Sequence, residues 1–175
     1  MQRELFNYKL PANLIAREPA SERRGSMMMV IDQETNDIKH RSFSEIVSLV
    51  KPGDLMVFNN TKVMPARMFG KKDTGGKIEL LVERLIDDQT VLGHLRASKS
   101  LKIGSKIIFD GCIEALIQER REDLFIIKFS GDQSAIDALE SKGHTPLPPY
   151  IDRPDNDVDK ERYQTVYAKI PGAVA

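Results

Sequence analysis

Cysteine is almost missing from this chain: Cys112 is the single one among 175 residues, so no internal disulfide can form. It falls in the strand-like stretch Cys112-Ile113-Glu114-Ala115-Leu116-Ile117, where a small buried hydrophobe is expected. No apolar run approaches the roughly 18 residues that a membrane helix needs, and Met1-Gln2-Arg3-Glu4 lacks the basic-then-apolar pattern of a signal peptide. The expectation is a cytoplasmic protein with no membrane partner. Histidine is scarce as well. His40, His94 and His144 stand far apart, with no Cys or carboxylate at ligand spacing, which predicts no metal. Also absent are a P-loop, a Gly-x-Gly-x-x-Gly fingerprint and a nucleophile elbow, and with them the usual signs of a phosphate cradle or a serine or cysteine hydrolase.

What is present describes a folded chain. Hydrophobic residues make up 41% and charged residues 30%, with 9 Pro and 11 Gly, the composition of globular proteins. Basic and acidic residues balance at 26 each, so the molecule as a whole has no general attraction to nucleic acid. The balance is uneven along the chain: residues 51–106 hold 11 basic and 6 acidic side chains, net +5, and residues 107–175 hold 8 and 13, net −5. A solvated face is the ordinary meaning of such a bias, and a surface that meets phosphates is the functional one.

Local patterns divide the chain. Ser42 and Glu45 form a capping-box pair ahead of Ile46, Val47, Leu49 and Val50, which predicts a helix closed by Pro52-Gly53. Leu55-Met56-Val57-Phe58 is a continuous apolar run closed by Asn59-Asn60-Thr61, as in a strand covered on both faces. Six short strand-like runs follow: Arg67 to Lys71, Lys77 to Ile86, Thr90 to Ala97, Lys106 to Phe109, Cys112 to Gln118 and Leu124 to Phe129. Asp73-Thr74-Gly75-Gly76 and Asp87-Asp88 supply the first two turns, and the spacing predicts a small barrel or sandwich. Beyond them, Asp132 is a helix cap, with Ile136 and Leu139 facing inward and Gly143 as the stop. Pro146-Leu147-Pro148-Pro149-Tyr150 reads as extended, and Asp157 opens a last helix carrying Tyr163, Val166 and Tyr167 on one face. The expected fold class is α/β plus β: an α/β domain from residues 1–64 and 131–175, with a small antiparallel β-barrel inserted at 65–130.

Three polar segments could carry chemistry. Asn59, Asn60, Thr61, Lys62 and Arg67 lie just past the expected buried strand, where open α/β sheets bind ligands; the bland alternative is an Asx turn. Tyr150, Asp152 and Arg153 sit on a stiff proline-bounded loop able to present a ring and a guanidinium to a base or phosphate, or else on a packed connector. Tyr163 and Gln164 lie on a helix whose apolar stripe makes a core role for the tyrosine the simpler reading.

Seven stretches, read in order, carry a resemblance: Leu10-Pro11 through Leu14-Ile15-Ala16, Gly53-Asp54-Leu55, Asn59 through Arg67, Gly76-Lys77-Ile78-Glu79, Pro146-Leu147-Pro148-Pro149-Tyr150-Ile151, Tyr163-Gln164-Thr165-Val166-Tyr167 and Pro171-Gly172-Ala173-Val174-Ala175. The chain resembles the S-adenosylmethionine:tRNA ribosyltransferase-isomerases of queuosine biosynthesis. The resemblance implies an α/β domain with an inserted barrel. It also implies a transferase and isomerase that moves the ribosyl portion of S-adenosylmethionine onto 7-aminomethyl-7-deazaguanine at the tRNA wobble position, giving epoxyqueuosine and releasing adenine and methionine. Its partners would be tRNA and S-adenosylmethionine, the latter a substrate, with no resident cofactor and a monomeric enzyme. Asn59, Asn60, Thr61 and Arg67 would hold the nucleoside or the deazaguanine, and Tyr150, Asp152 and Arg153 would orient a base or phosphate. The resemblance identifies no general base.

Two departures stand out. Where the family reads Ser-Arg followed by apolar residues, this chain has Ser26-Met27-Met28-Met29-Val30, leaving that arginine's position vacant. The family also continues past Gly-Ala-Val-Ala into an Ala-Pro-Thr-Ala-Gly-Leu-His-Phe segment and further α/β elements, so the expectation is an N-terminal portion whose α/β part is incomplete and which is inactive alone. A non-catalytic tRNA-binding module is the alternative from a different class.

Overall fold

The computed structural model describes residues 2–172; Ala173-Val174-Ala175 of the last resembling stretch lie outside the described residues. The chain separates into two compact units, one formed by the residues up to Val57 with Pro148–Arg153, the other by Phe58–Leu147 with the residues from Pro154 onward.

In the first unit, β1 (Met27–Ile31) and β2 (Ile38–Ser42) pair antiparallel from Met27↔Ser42 to Ile31↔Ile38. The connecting turn is held by Asp32, whose carboxylate accepts the N–H groups of Thr35 (3.1 Å) and Glu34 (2.9 Å); these two bonds keep its pKa below the ordinary aspartate value. The Ser42/Glu45 capping box is present, with the Ser42 N–H donating to Glu45 Oε1 at 3.0 Å. It opens a 3-10 helix, Phe43–Ser48, where an α-helix was expected. With three residues per turn the i, i+3, i+4 stripe does not assemble, and Val47, Leu49 and Val50 stay exposed. Leu55 to Phe58 corrects another expectation. The run forms no strand and each of its residues is exposed, because a strand exists only through a ladder partner and none pairs here among the described residues. No described residue of this unit is buried.

The second unit holds the core. A short strand, β3 (Thr61–Val63), precedes β4 (Arg67–Lys72), β5 (Lys77–Leu85), β6 (Thr90–Ala97), β7 (Lys106–Phe109), β8 (Ile113–Arg121) and β9 (Leu124–Phe129). Strands β4 to β9 close into an antiparallel barrel in the order β4-β5-β6-β9-β8-β7, sealed by Gly70↔Phe109 pairing between β4 and β7. Gly75, at φ +85°, makes the β4–β5 turn that the Asp73-Thr74-Gly75-Gly76 sequence predicts. Alternation sends Ile78, Leu80 and Val82 of β5 inward, against Met68, Val91, Ile107, Phe109, Ile117, Ile127 and Phe129. Each such side chain contributes about 1.5–3 kcal/mol by leaving water. Cys112 is exposed, contrary to expectation, because β8 begins one residue later and the thiol falls in the Asp110-Gly111-Cys112 turn, where Asp110 and Gly111 both have positive φ.

Helix α1 (Ala135–Lys142) buries Ala135, Ala138 and Leu139 in this core. Its cap is Ser134 rather than Asp132, with Ser134 Oγ accepting the Asp137 N–H at 3.1 Å, and the shifted phase turns Ile136 outward at 42% exposure. Helix α2 (Asp157–Arg162) ends before Val166 and Tyr167, so the predicted aromatic face does not form; Tyr167 instead meets Phe58, ring centroids 4.4 Å apart. The final strand, β10 (Ile170–Gly172), pairs parallel with β3 from Ile170↔Thr61 to Gly172↔Val63. Parallel pairing beside helices, together with the barrel, makes the fold class α/β plus β. Among the described residues no helix is long and apolar enough to cross a membrane.

Candidate functional site

The β3–β10 pair gathers the first polar segment. Asn59 organises the approach: its Oδ1 accepts the Thr61 N–H at 2.9 Å, and its main-chain carbonyl accepts Thr165 Oγ1 at 3.0 Å. The Asn60 carbonyl accepts the N–H groups of Lys169 (2.8 Å) and Ile170 (3.1 Å), which starts the parallel ladder. Gln164 then acts as a splint on the other edge of β3. Val63 N–H donates to Gln164 Oε1 at 2.8 Å and Gln164 Nε2 donates to Val63 O at 2.7 Å, so one amide satisfies both backbone groups of a residue only 6% exposed. Tyr163 is the half-buried C-cap of α2, its N–H on the Asp159 carbonyl at 2.9 Å.

Arg67 is placed as a brace. Its Nη2 donates to Leu147 O at 3.1 Å, its backbone pairs with His144, and its Nε lies 3.1 Å from Glu79 Oε1 in an ion pair too bent to count as a hydrogen bond. The side chain is largely covered, so the contact is structural before it is anything else.

A cavity of about 410 Å³ opens beside this ladder, within the range of small-molecule sites. Its walls include Val63, Leu85 and Ile136, and Lys62, Glu140 and Lys160 bring charge to it. Lys160 is held by Asp157 at 3.0 Å, whereas neither Lys62 nor the Asn60 side chain has a polar partner among the described residues. Gly143 lines the same space and admits no side chain: a Cβ there would overlap the carbonyl oxygens of Pro65 and Leu139. The arrangement is a recess whose lining joins apolar side chains to two cations and one carboxylate, groups able to meet a small molecule that carries both charges.

Sequence reading missed two things here. Glu140 and Lys160 converge on the recess from separate helices, which no local pattern encodes. His144 and Asp155 form a pair, Nδ1 to Oδ1 at 2.8 Å, while Asp155 Oδ2 accepts the Thr145 N–H at 2.8 Å. Among the described residues no three His, Cys, Asp or Glu side chains are grouped to hold a metal.

The second candidate group lies in the first unit. Tyr150 is exposed and Asp152 adopts a left-handed φ of +50°. Arg153 is directed inward: its Nε donates to Arg17 O at 2.9 Å and pairs with Glu18 at 2.9 Å, and Asp152 receives Arg17 at 3.3 Å. Arg153 therefore joins two distant parts of the sequence.

A family model described as queuosine biosynthesis protein matches residues 3–175. A solved structure, the S-adenosylmethionine tRNA ribosyltransferase of Thermotoga maritima, is 32% identical over 84% of this chain and 52% of that one, with a TM-score of 0.41. The chain thus spans about half the length of that relative.

Proposed function

We propose that this chain, which belongs to the queuosine biosynthesis protein family, supplies the barrel and part of the substrate site of an S-adenosylmethionine:tRNA ribosyltransferase-isomerase. The observation that carries the reading is the family match across residues 3–175, joined to an arrangement in which the matching Asn59–Arg67 and Tyr163–Tyr167 stretches meet at one ladder. In this reading an α/β domain from residues 1–64 and 131–175 receives the barrel at 65–130 as an insertion. The ribosyl group of S-adenosylmethionine passes to 7-aminomethyl-7-deazaguanine in the tRNA wobble position, and adenine and methionine leave. The sulfonium acidifies the neighbouring carbon and is itself the leaving group, so S-adenosylmethionine is substrate rather than resident cofactor. Protein groups have to position two substrates and exclude water.

The Asn60 side chain and the Lys62 ammonium, with no polar partner among the described residues, are the groups of the ladder left to meet ligand. The recess, lined by both Lys62 and Glu140, matches the carboxylate and ammonium of an amino-acid moiety. Gln164, Asn59 and Arg67 hold the frame, and Tyr150 offers its exposed ring to a base.

Because the chain covers 52% of the Thermotoga relative, the test is a chimera in which these residues replace the matching part of an active family member. It is supplied with S-adenosylmethionine and an anticodon stem-loop bearing 7-aminomethyl-7-deazaguanine. Adenine release with a ribosyl-derived gain in RNA mass is expected, with a loss of at least tenfold in Lys62→Met. A folded chimera that binds the RNA but releases no adenine sinks the transferase reading and favours a non-catalytic RNA-binding module.

A further inference from the structure

A groove of about 750 Å³ in the second unit is lined by residues of the barrel's strands and turns and by none of the ladder. It is lined by Phe69, Lys71, Lys72, Lys77 and Ile108 and also by Asp73 and Asp110. Its lining joins apolar groups to three lysines and two aspartates. Phe69 is half exposed, although its strand neighbour Met68 is fully buried. Phe69 and Lys71 are two apart on β4 and project from the same face. Gly70 between them faces the opposite way, where a Cβ would come within 2.7 Å of Ile108 O and 2.8 Å of Phe109 Cδ1, so its lack of a side chain lets β4 and β7 close on the core.

The strand register makes the charge distribution informative. Lys71 stands directly opposite Lys77 across β4 and β5. Like charges in that position destabilise a sheet, and neither ammonium has an acidic partner among the described residues. Of the nearby acids, Asp110 pairs with Lys142 at 3.1 Å and Glu79, opposite Phe69, faces Arg67, while Asp73, which accepts the Thr74 N–H at 2.8 Å, makes no ion pair with either lysine among the described residues. Lys72 is fixed by the carbonyls of Ser100 (3.0 Å) and Lys99 (3.3 Å). The fold thus keeps two adjacent cations uncompensated beside an exposed ring. A base stacks on such a ring, and a phosphodiester backbone relieves such a repulsion.

We propose that this face of the barrel binds a single-stranded loop of the RNA substrate, with Phe69 stacking a base and Lys71 and Lys77 neutralising phosphates. The inference rests on the reading that the substrate is RNA. An acidic protein segment could also meet the lysines, but it would leave unused the half of Phe69 that stays exposed while its ring packs T-shaped against His144, centroids 5.1 Å apart.

The test titrates the 175-residue chain into a fluorescent RNA stem-loop over a range of salt concentrations, beside a polyglutamate peptide. Lys71→Glu places a carboxylate opposite Lys77, so it should raise the melting temperature while weakening RNA binding at least tenfold at low salt. Lys71→Gln with Lys77→Gln should lower the slope of log K against log salt by roughly 1.4–1.8. Phe69→Ala should cost roughly 5- to 160-fold with little change in slope. RNA affinity untouched by Lys71→Glu overturns the surface and leaves the proposed activity standing, whereas a chimera without adenine release removes the activity and leaves the surface. Polyglutamate bound as tightly as RNA, and lost in the same variant, overturns the RNA assignment, as does an unaltered chain that binds no stem-loop.

Discussion

Removing the Gln164 side chain should separate β3 from its support. In Gln164→Ala the Val63 N–H and C=O lose partners at 2.8 and 2.7 Å, and Val63 is too covered for water to replace both at full strength. A buried polar group left unmade costs about 1–3 kcal/mol, so the pair should cost roughly 2–4 kcal/mol after partial hydration. For a chain of this size that is a fall of about 4–16 °C in Tm. Gln164→Glu makes a sharper comparison. One carboxylate oxygen can still accept the Val63 N–H, but the other would face the Val63 carbonyl with no proton between them, so at neutral pH Glu should rescue little of the loss. In acid, where the carboxyl gains a proton and can donate again, it should rescue more. Thermal unfolding at pH 7 and below pH 4 measures both variants, and amide exchange at Val63 localises the effect. A Glu variant as stable as the parent at neutral pH, or an Ala variant within about 0.5 kcal/mol of it with Val63 exchange unchanged, would refute the splint.

Gly143→Ala should destabilise the second unit by about 1–3 kcal/mol, because its methyl group would overlap the Pro65 and Leu139 carbonyls and force the end of α1 away; urea unfolding reads this, and a neutral result contradicts the close approach. Asp87 accepts the Gln89 N–H at 2.9 Å, and this bond, first among several, holds its pKa below the ordinary 3.8. A depressed carboxylate pKa contributes stability that is present above 3.8 and lost as pH falls through the lower folded value. The Tm gap between parent and Asp87→Ala should therefore stay constant from pH 7 to pH 5 and narrow only below 3.8; a gap independent of pH down to acid would show that the bond is not made by the ionised form.

The barrel was legible because its information is local. Each of its strands but one pairs with the next along the chain, alternation marks the inward face, and turn residues such as Gly75 sit where a positive φ is needed. The runs at Thr90 to Ala97, Lys106 to Phe109 and Leu124 to Phe129 match their strands to the residue. The capping box at Ser42 was also readable, since its bonds span three residues, but the helix type was not: a cap fixes where a helix starts, whereas neighbours decide whether it tightens into a 3-10 turn. Cys112 was misread by a single residue, enough to move a thiol from a strand to a turn.

The ladder and the recess depend on partners far apart in sequence, and there the residues gave only half of each contact. Gln164 stands in a polar segment, and its amide meets Val63, 101 residues earlier, a partner that the segment does not announce. The Asn60 side chain and Lys62 are candidates on the opposite ground, that neither has a polar partner among the described residues. The same reasoning carries the groove on the barrel. A net charge of +5 over residues 51–106 means little alone. Once the β4–β5 register sets Lys71 against Lys77, a diffuse bias becomes a local repulsion that the fold maintains without compensation, and a polyanionic ligand is the compensation that would make the arrangement favourable.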